Sequence, residues 1–151
     1  MRIVREALYY EPSGKGTNIP SALEYLSKVI NRSSVAFVIS DFYAKGYERS
    51  LSIARRRHDI IAISITDPVE TDLPEIGILN LEDAETGRNF MLDSSSHAVR
   101  AKYRENALRL FGERQKILLS ANIDHMDVHT DRPYASELYK FFRMRERRIR
   151  I

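Results

Sequence analysis

Hydrophobic positions along this chain follow two periods, one of amphipathic helices and one of buried strands. Ile3, Val4, Ala7 and Leu8 recur at helical spacing with Arg2, Arg5 and Glu6 on the other face, which predicts a first helix. The pattern stops at Glu11-Pro12-Ser13-Gly14-Lys15-Gly16, a proline and glycine loop that a helix does not cross. A second helix follows, with Ile19, Ala22, Leu23, Leu26, Val29 and Ile30 on one stripe. Asn18 is placed to cap it, and Pro20 fits its first turn, where no amide donor is needed. Val35-Ala36-Phe37-Val38-Ile39 is instead a continuous run rich in β-branched residues, the pattern of a strand buried on both faces. Residues 47–57 predict a helix with Tyr47, Leu51 and Ala54 inward and Arg55, Arg56 and Arg57 in solvent. Residues 60–65, all apolar but Ser64, repeat the buried-strand pattern. Helices alternating with such strands predict a parallel α/β sheet.

The middle of the chain breaks that rhythm. Residues 76–82 and 88–92 are strand-like and are joined through a segment in which Gly87 can supply a positive φ, so a β-hairpin is expected here. A long helix is expected from about residue 97 to 120, with Val99, Tyr103, Ala107, Leu110, Ile117 and Leu118 as its buried stripe and Asp93 or a nearby serine as its cap. Residues 123–128 predict a short strand. Thr130 or Asp131 then caps a last helix, with Pro133 in its first turn and Tyr134, Leu138, Phe141 and Phe142 inward. The fold class expected is α/β: a partial doubly wound, mainly parallel sheet with an inserted β-hairpin, in a single domain spanning residues 1–151.

Composition narrows the function classes. With 151 residues, 43% hydrophobic and 30% charged, the chain has the balance of one globular domain. No run approaches the roughly 20 apolar residues of a membrane helix, and MRIVREALYY lacks the apolar block of a secretory signal. Cysteine is absent, which excludes a disulfide framework and a cysteine nucleophile and fits a reducing, cytoplasmic setting. The formal charge of +3 is too small to imply a nucleic-acid partner.

In an open parallel sheet, ligands bind beyond the carboxyl ends of the strands. Thr17 before the second helix, Ser40 and Asp41 after the first strand, and Asp67 after the second are the candidates there. A hydroxyl beside a carboxylate suits magnesium, although the same residues also satisfy ordinary loops and cap helices. Gly14-Lys15-Gly16-Thr17 is not a phosphate-binding loop: Tyr9 stands where the Walker pattern needs glycine, and the loop follows a helix. His125, Asp127 and His129 share one face of a strand and offer an alternative, a metal-dependent hydrolase. Their spacing of about 7 Å along the strand keeps three such groups from converging on one ion. No Ser/His/Asp constellation is legible, and nothing in the residues demands a cofactor. Arg143, Arg145, Arg147, Arg148 and Arg150 form the densest positive cluster. The reading preferred for it is the solvated end of a helix, where the dipole favours positive charge, and no nucleic-acid partner is expected.

Several motifs in order resemble one family. These are Glu11 to Asn18 with the helix behind it, Ile39-Ser40-Asp41-Phe42, Arg57-His58-Asp59, Leu81-Glu82-Asp83-Ala84-Glu85-Thr86-Gly87, and the closing Thr130-Asp131 with its Phe-Phe-Arg helix. Together they look like the carboxyl-terminal half of the bacterial von Willebrand factor A-like proteins of domain of unknown function fifty-eight. The resemblance implies a metal-ion-dependent adhesion site in which Thr17 is the threonine and Asp41 the aspartate. The Asp-x-Ser-x-Ser loop of that site is missing; Asp93-Ser94-Ser95-Ser96 follows the hairpin and not a leading strand. The resemblance therefore implies a domain without its first strand, a weak or vacant site, and magnesium only in the full-length protein. It also implies a non-enzymatic protein-interaction role, with MoxR-type AAA+ ATPases as a partner class. The edge left open along residues 35–39 leads us to expect a homo-oligomer, through edge pairing or exchange of the first helix.

Overall fold

A computed structural model of the chain describes residues 2–10, 16–83 and 86–149. In chain order the elements are α1 (Arg2–Tyr9), α2 (Ile19–Val29), β1 (Val35–Ser40), α3 (Glu48–Arg55), β2 (Asp59–Thr66), α4 (Pro68–Thr71), β3 (Ile78–Glu82), β4 (Asn89–Asp93), α5 (His97–Ser120), β5 (Asp124–His129) and α6 (Tyr134–Ile149). Glu11, Pro12, Ser13, Gly14 and Lys15 of the expected first loop, and Ala84 and Glu85 of the hairpin tip, lie outside the described residues.

The apolar runs become a parallel sheet in the order β1-β2-β5. β2 is central, and of the three it alone is buried on both faces along nearly its whole length. Ile63 sits beside Ile39 on one side and Met126 on the other. One face of the sheet, through Ile60 and Ala62, packs on Leu23 of α2, Leu51 and Ala54 of α3 and Leu118 of α5. The opposite face, through Ile61, Ile63 and Met126, packs on Leu138 and Phe141 of α6. Helices thus cover both faces of a mainly parallel sheet, and the fold is mixed α/β.

Local signals account for most element boundaries. Asn18 caps α2 through its side-chain oxygen, which accepts from the Ser21 amide at 2.9 Å, with Pro20 in the first turn. Gly87 takes φ 68 at the turn between β3 and β4, which pair antiparallel as a separate two-stranded sheet. The base of that hairpin is tied by Ser94, whose hydroxyl donates to Gly77 O at 2.7 Å and accepts from the Ile76 amide.

Three expectations are corrected, and a fourth, a serine cap for α5, is met in position but not in bonding. β1 is covered on one face: Val35, Phe37 and Ile39 on the other are 57%, 49% and 63% exposed, because α6 packs on β2 and β5 and meets β1 through Phe142 on Phe37. Tyr134 is exposed rather than inward, and Phe142 is only partly covered. At α5, Ser96 holds the N-cap position without a side-chain bond, while Asp93 accepts from the Ser95 amide at 2.9 Å. The Thr130 hydroxyl does not cap α6; it donates to Asp67 instead.

Candidate functional site

Because β1, β2 and β5 are parallel, Ser40, Thr66 and His129 end them on the same side of the sheet. Asp41, Asp67 and Thr130 are the next residues, so they form one rim. Thr17 and Asn18 lead into α2 and line, with Leu23, Phe37 and Ser40, a groove of about 470 Å³ between α2 and β1. The tertiary structure therefore brings Thr17 to the end of the sheet where Ser40 and Asp41 lie.

The loop after β1 is tightly held. Ser40 Oγ accepts from the Phe42 amide at 3.1 Å and donates to Asp41 Oδ1 at 3.3 Å, and the Tyr43 amide donates to the same Oδ1 at 3.2 Å. Phe42 adopts φ 59, a left-handed conformation that a bulky residue rarely takes and that costs about 1–3 kcal/mol. It is held there by burial of its ring against Tyr47, 5.6 Å away between centroids. Arg114 of α5 adds a second clamp. Its guanidinium donates to Asp41 O at 3.1 Å and to Asp127 Oδ1 at 2.9 Å, and it lies 4.8 Å over the Phe111 ring. Only 5% of Arg114 is exposed, so this cation is buried between two strand ends.

A chain of hydrogen bonds continues along the rim. Tyr43 Oη donates to Glu70 Oε2 at 3.0 Å, and Glu70 Oε1 accepts from the Asp67 amide at 3.4 Å. Asp67 in turn accepts from the Val69 amide at 3.0 Å and from the Thr130 hydroxyl at 2.5 Å. The ends of all three strands are thereby linked. Burial, helped by the bond to Glu70 and its negative charge, pushes the Tyr43 hydroxyl up to about 12. The Thr130 hydroxyl, then the Val69 amide, hold the Asp67 carboxyl below its ordinary value.

As a magnesium site the rim supplies too little. Both Asp67 oxygens are occupied by donors, and one Asp41 oxygen accepts two bonds, which leaves one hydroxyl and part of one carboxylate. Six-coordinate magnesium held by those two groups would keep most of its water, so the residues of this chain do not by themselves fit the ion. His125, Asp127 and His129 alternate along β5, but Asp127 is engaged by Arg114. Among the described residues no three His, Asp or Glu side chains gather closely enough to hold a metal ion.

Arg143, Arg147 and Arg148 of the arginine cluster are exposed, as at a solvated helix end, and Arg150 lies outside the described residues, but Arg145 and Arg148 are engaged by carboxylates. Arg145, 14% exposed at its side chain, pairs with Asp59 at 2.6 Å and Asp124 at 2.8 Å, and Arg148 pairs with Asp124 at 2.9 Å. Asp59 and Asp124 open β2 and β5, so these arginines fasten α6 to the amino-terminal end of the sheet.

Sequence reasoning missed Tyr43, Glu70 and Arg114. Glu70 was findable: Asp67-Pro68-Val69-Glu70 is a capping-box pattern, and both of its reciprocal bonds form. Arg114 fills the gap in the apolar stripe of α5 between Leu110 and Ile117, where a charge signals a buried partner. For Tyr43 no local signal exists.

Comparison with known proteins gives a family without an assigned activity. The family described as Protein of unknown function DUF58 matches residues 1–110. An uncharacterized protein of Mycobacterium avium is 29% identical over 139 residues, covering 90% of this chain and 80% of its own length. Uncharacterized proteins of Mycobacterium bovis and Mycobacterium tuberculosis are each 27% identical over 139 residues, and the match covers 90% of this chain but 43% of theirs. No solved structure matches the chain.

Proposed function

Because this chain belongs to the DUF58 family of proteins of unknown function, we propose that it is a non-enzymatic protein–protein interaction module. It is built like part of a von Willebrand factor A domain and docks through the rim at the carboxyl ends of its strands. The observation that carries this reading is the Asp41 loop, where strained Phe42 and buried Arg114 hold an exposed carboxylate beside an open groove. Backbone strain persists where surrounding structure enforces it, and it gathers at binding sites. Thr17 and Asp41 take the places of the threonine and aspartate of an adhesion site by the resemblance of their motifs. In this chain they act as hydrogen-bonding groups at the mouth of an apolar groove, a mixture suited to a protein segment. Magnesium would join them only where a longer protein supplies further oxygen ligands.

The partner class comes from the resemblance: proteins like this one are associated with MoxR-type AAA+ ATPases. A second copy of the chain is a further partner, through the β1 edge, whose outer side pairs with no strand among the described residues.

Biolayer interferometry against the MoxR-type ATPase of the same genome tests the rim. The double variant Thr17→Ala/Asp41→Ala weakens binding at least tenfold while its melting temperature stays within a degree or two of the parent. Unchanged binding of that variant overturns the proposal.

A further inference from the structure

At the opposite end of the sheet, where β2 and β5 begin, lies an open pocket of about 570 Å³. Four arginines line it, Arg55, Arg56, Arg145 and Arg148, against two carboxylates, Asp59 and Asp124. The carboxylates are already matched: Arg145 bonds both, and Arg148 shares Asp124. Arg55 and Arg56 have no acidic partner among the described residues, so the pocket carries an excess of 4 − 2 = 2 positive charges.

Part of that charge answers helix dipoles, since α3 and α5 both end nearby and Arg55 stands in the last turn of α3. The dipoles do not account for the imidazole in the pocket wall. His58 is 2% exposed, its Nδ1 lies 3.1 Å from Ser34 Oγ, and its Nε2 has no partner. When the Ser34 hydroxyl donates to Nδ1, Nε2 carries the ring proton and is a buried donor with nothing to receive it. Asn122 adds an exposed amide on the rim of the pocket, at a backbone φ of 52. A buried ring nitrogen without a protein partner calls for a bound group or an ordered water, and the cations beside it favour an anion.

We propose that this pocket binds a compact phosphate-bearing small molecule. Arg55, Arg56 and the free donors of Arg148 meet its oxygens, and His58 Nε2 is a further donor in the wall in the tautomer whose Nδ1 accepts from Ser34. Guanidinium forks match phosphate oxygens two at a time, which distinguishes this cluster from a set of lysine point charges. Ile60 is the one apolar residue of the lining, so the pocket suits a ligand that is polar over nearly all its surface and not a lipid tail or an apolar peptide. Arg145, fixed by its two aspartates, sets the floor, which keeps the site rigid without drawing on the free cations.

Isothermal titration calorimetry of the whole chain with inorganic pyrophosphate, at fixed ionic strength, tests the site. Saturable one-to-one binding is expected, weakened at least tenfold in Arg55→Gln/Arg56→Gln and further in the triple variant with Arg148→Gln. Arg55 and Arg56 are exposed and unpaired among the described residues, so the double variant keeps the parent melting temperature; the triple variant also loses the pair from Arg148 to Asp124, and its binding is read well below its own melting temperature. In a nitrogen NMR spectrum of the histidine rings, Nε2 of His58 shifts on addition of pyrophosphate. No saturable binding at millimolar pyrophosphate, or equal binding by parent and double variant, overturns the proposal. So does hexaglutamate binding as tightly as pyrophosphate, since the pocket would then be a docking patch for acidic protein segments.

Discussion

Arg114 is the residue on which the rim depends most. Removing a buried cation leaves Asp127 without its counter-ion and the Asp41 carbonyl without its donor. Arg114→Met is expected to cost about 3 kcal/mol, the usual range for breaking a buried pair from one side, read as a lower urea midpoint. A loss below 1 kcal/mol would mean that the pair is solvated. At Asp67 the prediction concerns pH. Its carboxyl titrates below the ordinary value of about 4, so its contribution to stability is present above that pH and fades as pH falls through the lower folded value. Thr130→Val removes the first cause of the shift, and a carbon-detected NMR titration should place Asp67 closer to an ordinary carboxylate. An unmoved titration would show that the hydroxyl does not hold it.

Neighbouring leucines on α5 separate what an element needs from what it merely carries. Leu118 is fully buried against the sheet, whereas Leu119 is 64% exposed. Leu118→Ala is expected to cost about 2–5 kcal/mol, from lost burial and the cavity left behind. Leu119→Ala should stay within about 0.5 kcal/mol of the parent. Urea denaturation of the two variants checks the contrast, and equal losses would place α5 in the wrong rotation. That rotation was legible from the sequence, because a 3.6-residue repeat of apolar positions can be satisfied by one face only. The one-sided burial of β1 was not, because an apolar run states what a strand tolerates and not how far a neighbouring helix extends over it.

For the whole molecule, the open side of β1 is the feature with the largest consequence. Its strand carries no charge, proline or bulge to discourage pairing, and Val35, Phe37 and Ile39 stand exposed beside an edge that pairs with no strand among the described residues. Self-association at tens of micromolar is therefore expected in size-exclusion chromatography with light scattering, and Ile39→Lys should shift the species toward monomer. A parent chain that is monomeric throughout that range would remove the second copy from the list of partners. The two ends of the sheet carry separate chemistry: a hydrogen-bonded rim with a groove at the carboxyl end, and a cationic pocket at the amino end. Variants at one end should leave binding at the other unchanged, because the rigid strands between them do not depend on either set of surface groups.

The amino-acid sequence by itself determined where the helices and strands other than the short α4 lie, the Asn18 cap, the Gly87 turn and the bounds of α5, all encoded within a few residues of one another, and the alternation of those elements implied the parallel arrangement. Tertiary structure alone decided the clamp of Arg114 on Asp41, the bond from Thr130 to Asp67 and the staple from Arg145 to Asp59, across 73, 63 and 86 residues of chain. Periodicity is a local property of the backbone, so it survives in the sequence. Which charge meets which partner depends on the packing of elements far apart in the chain, and no spacing rule records it.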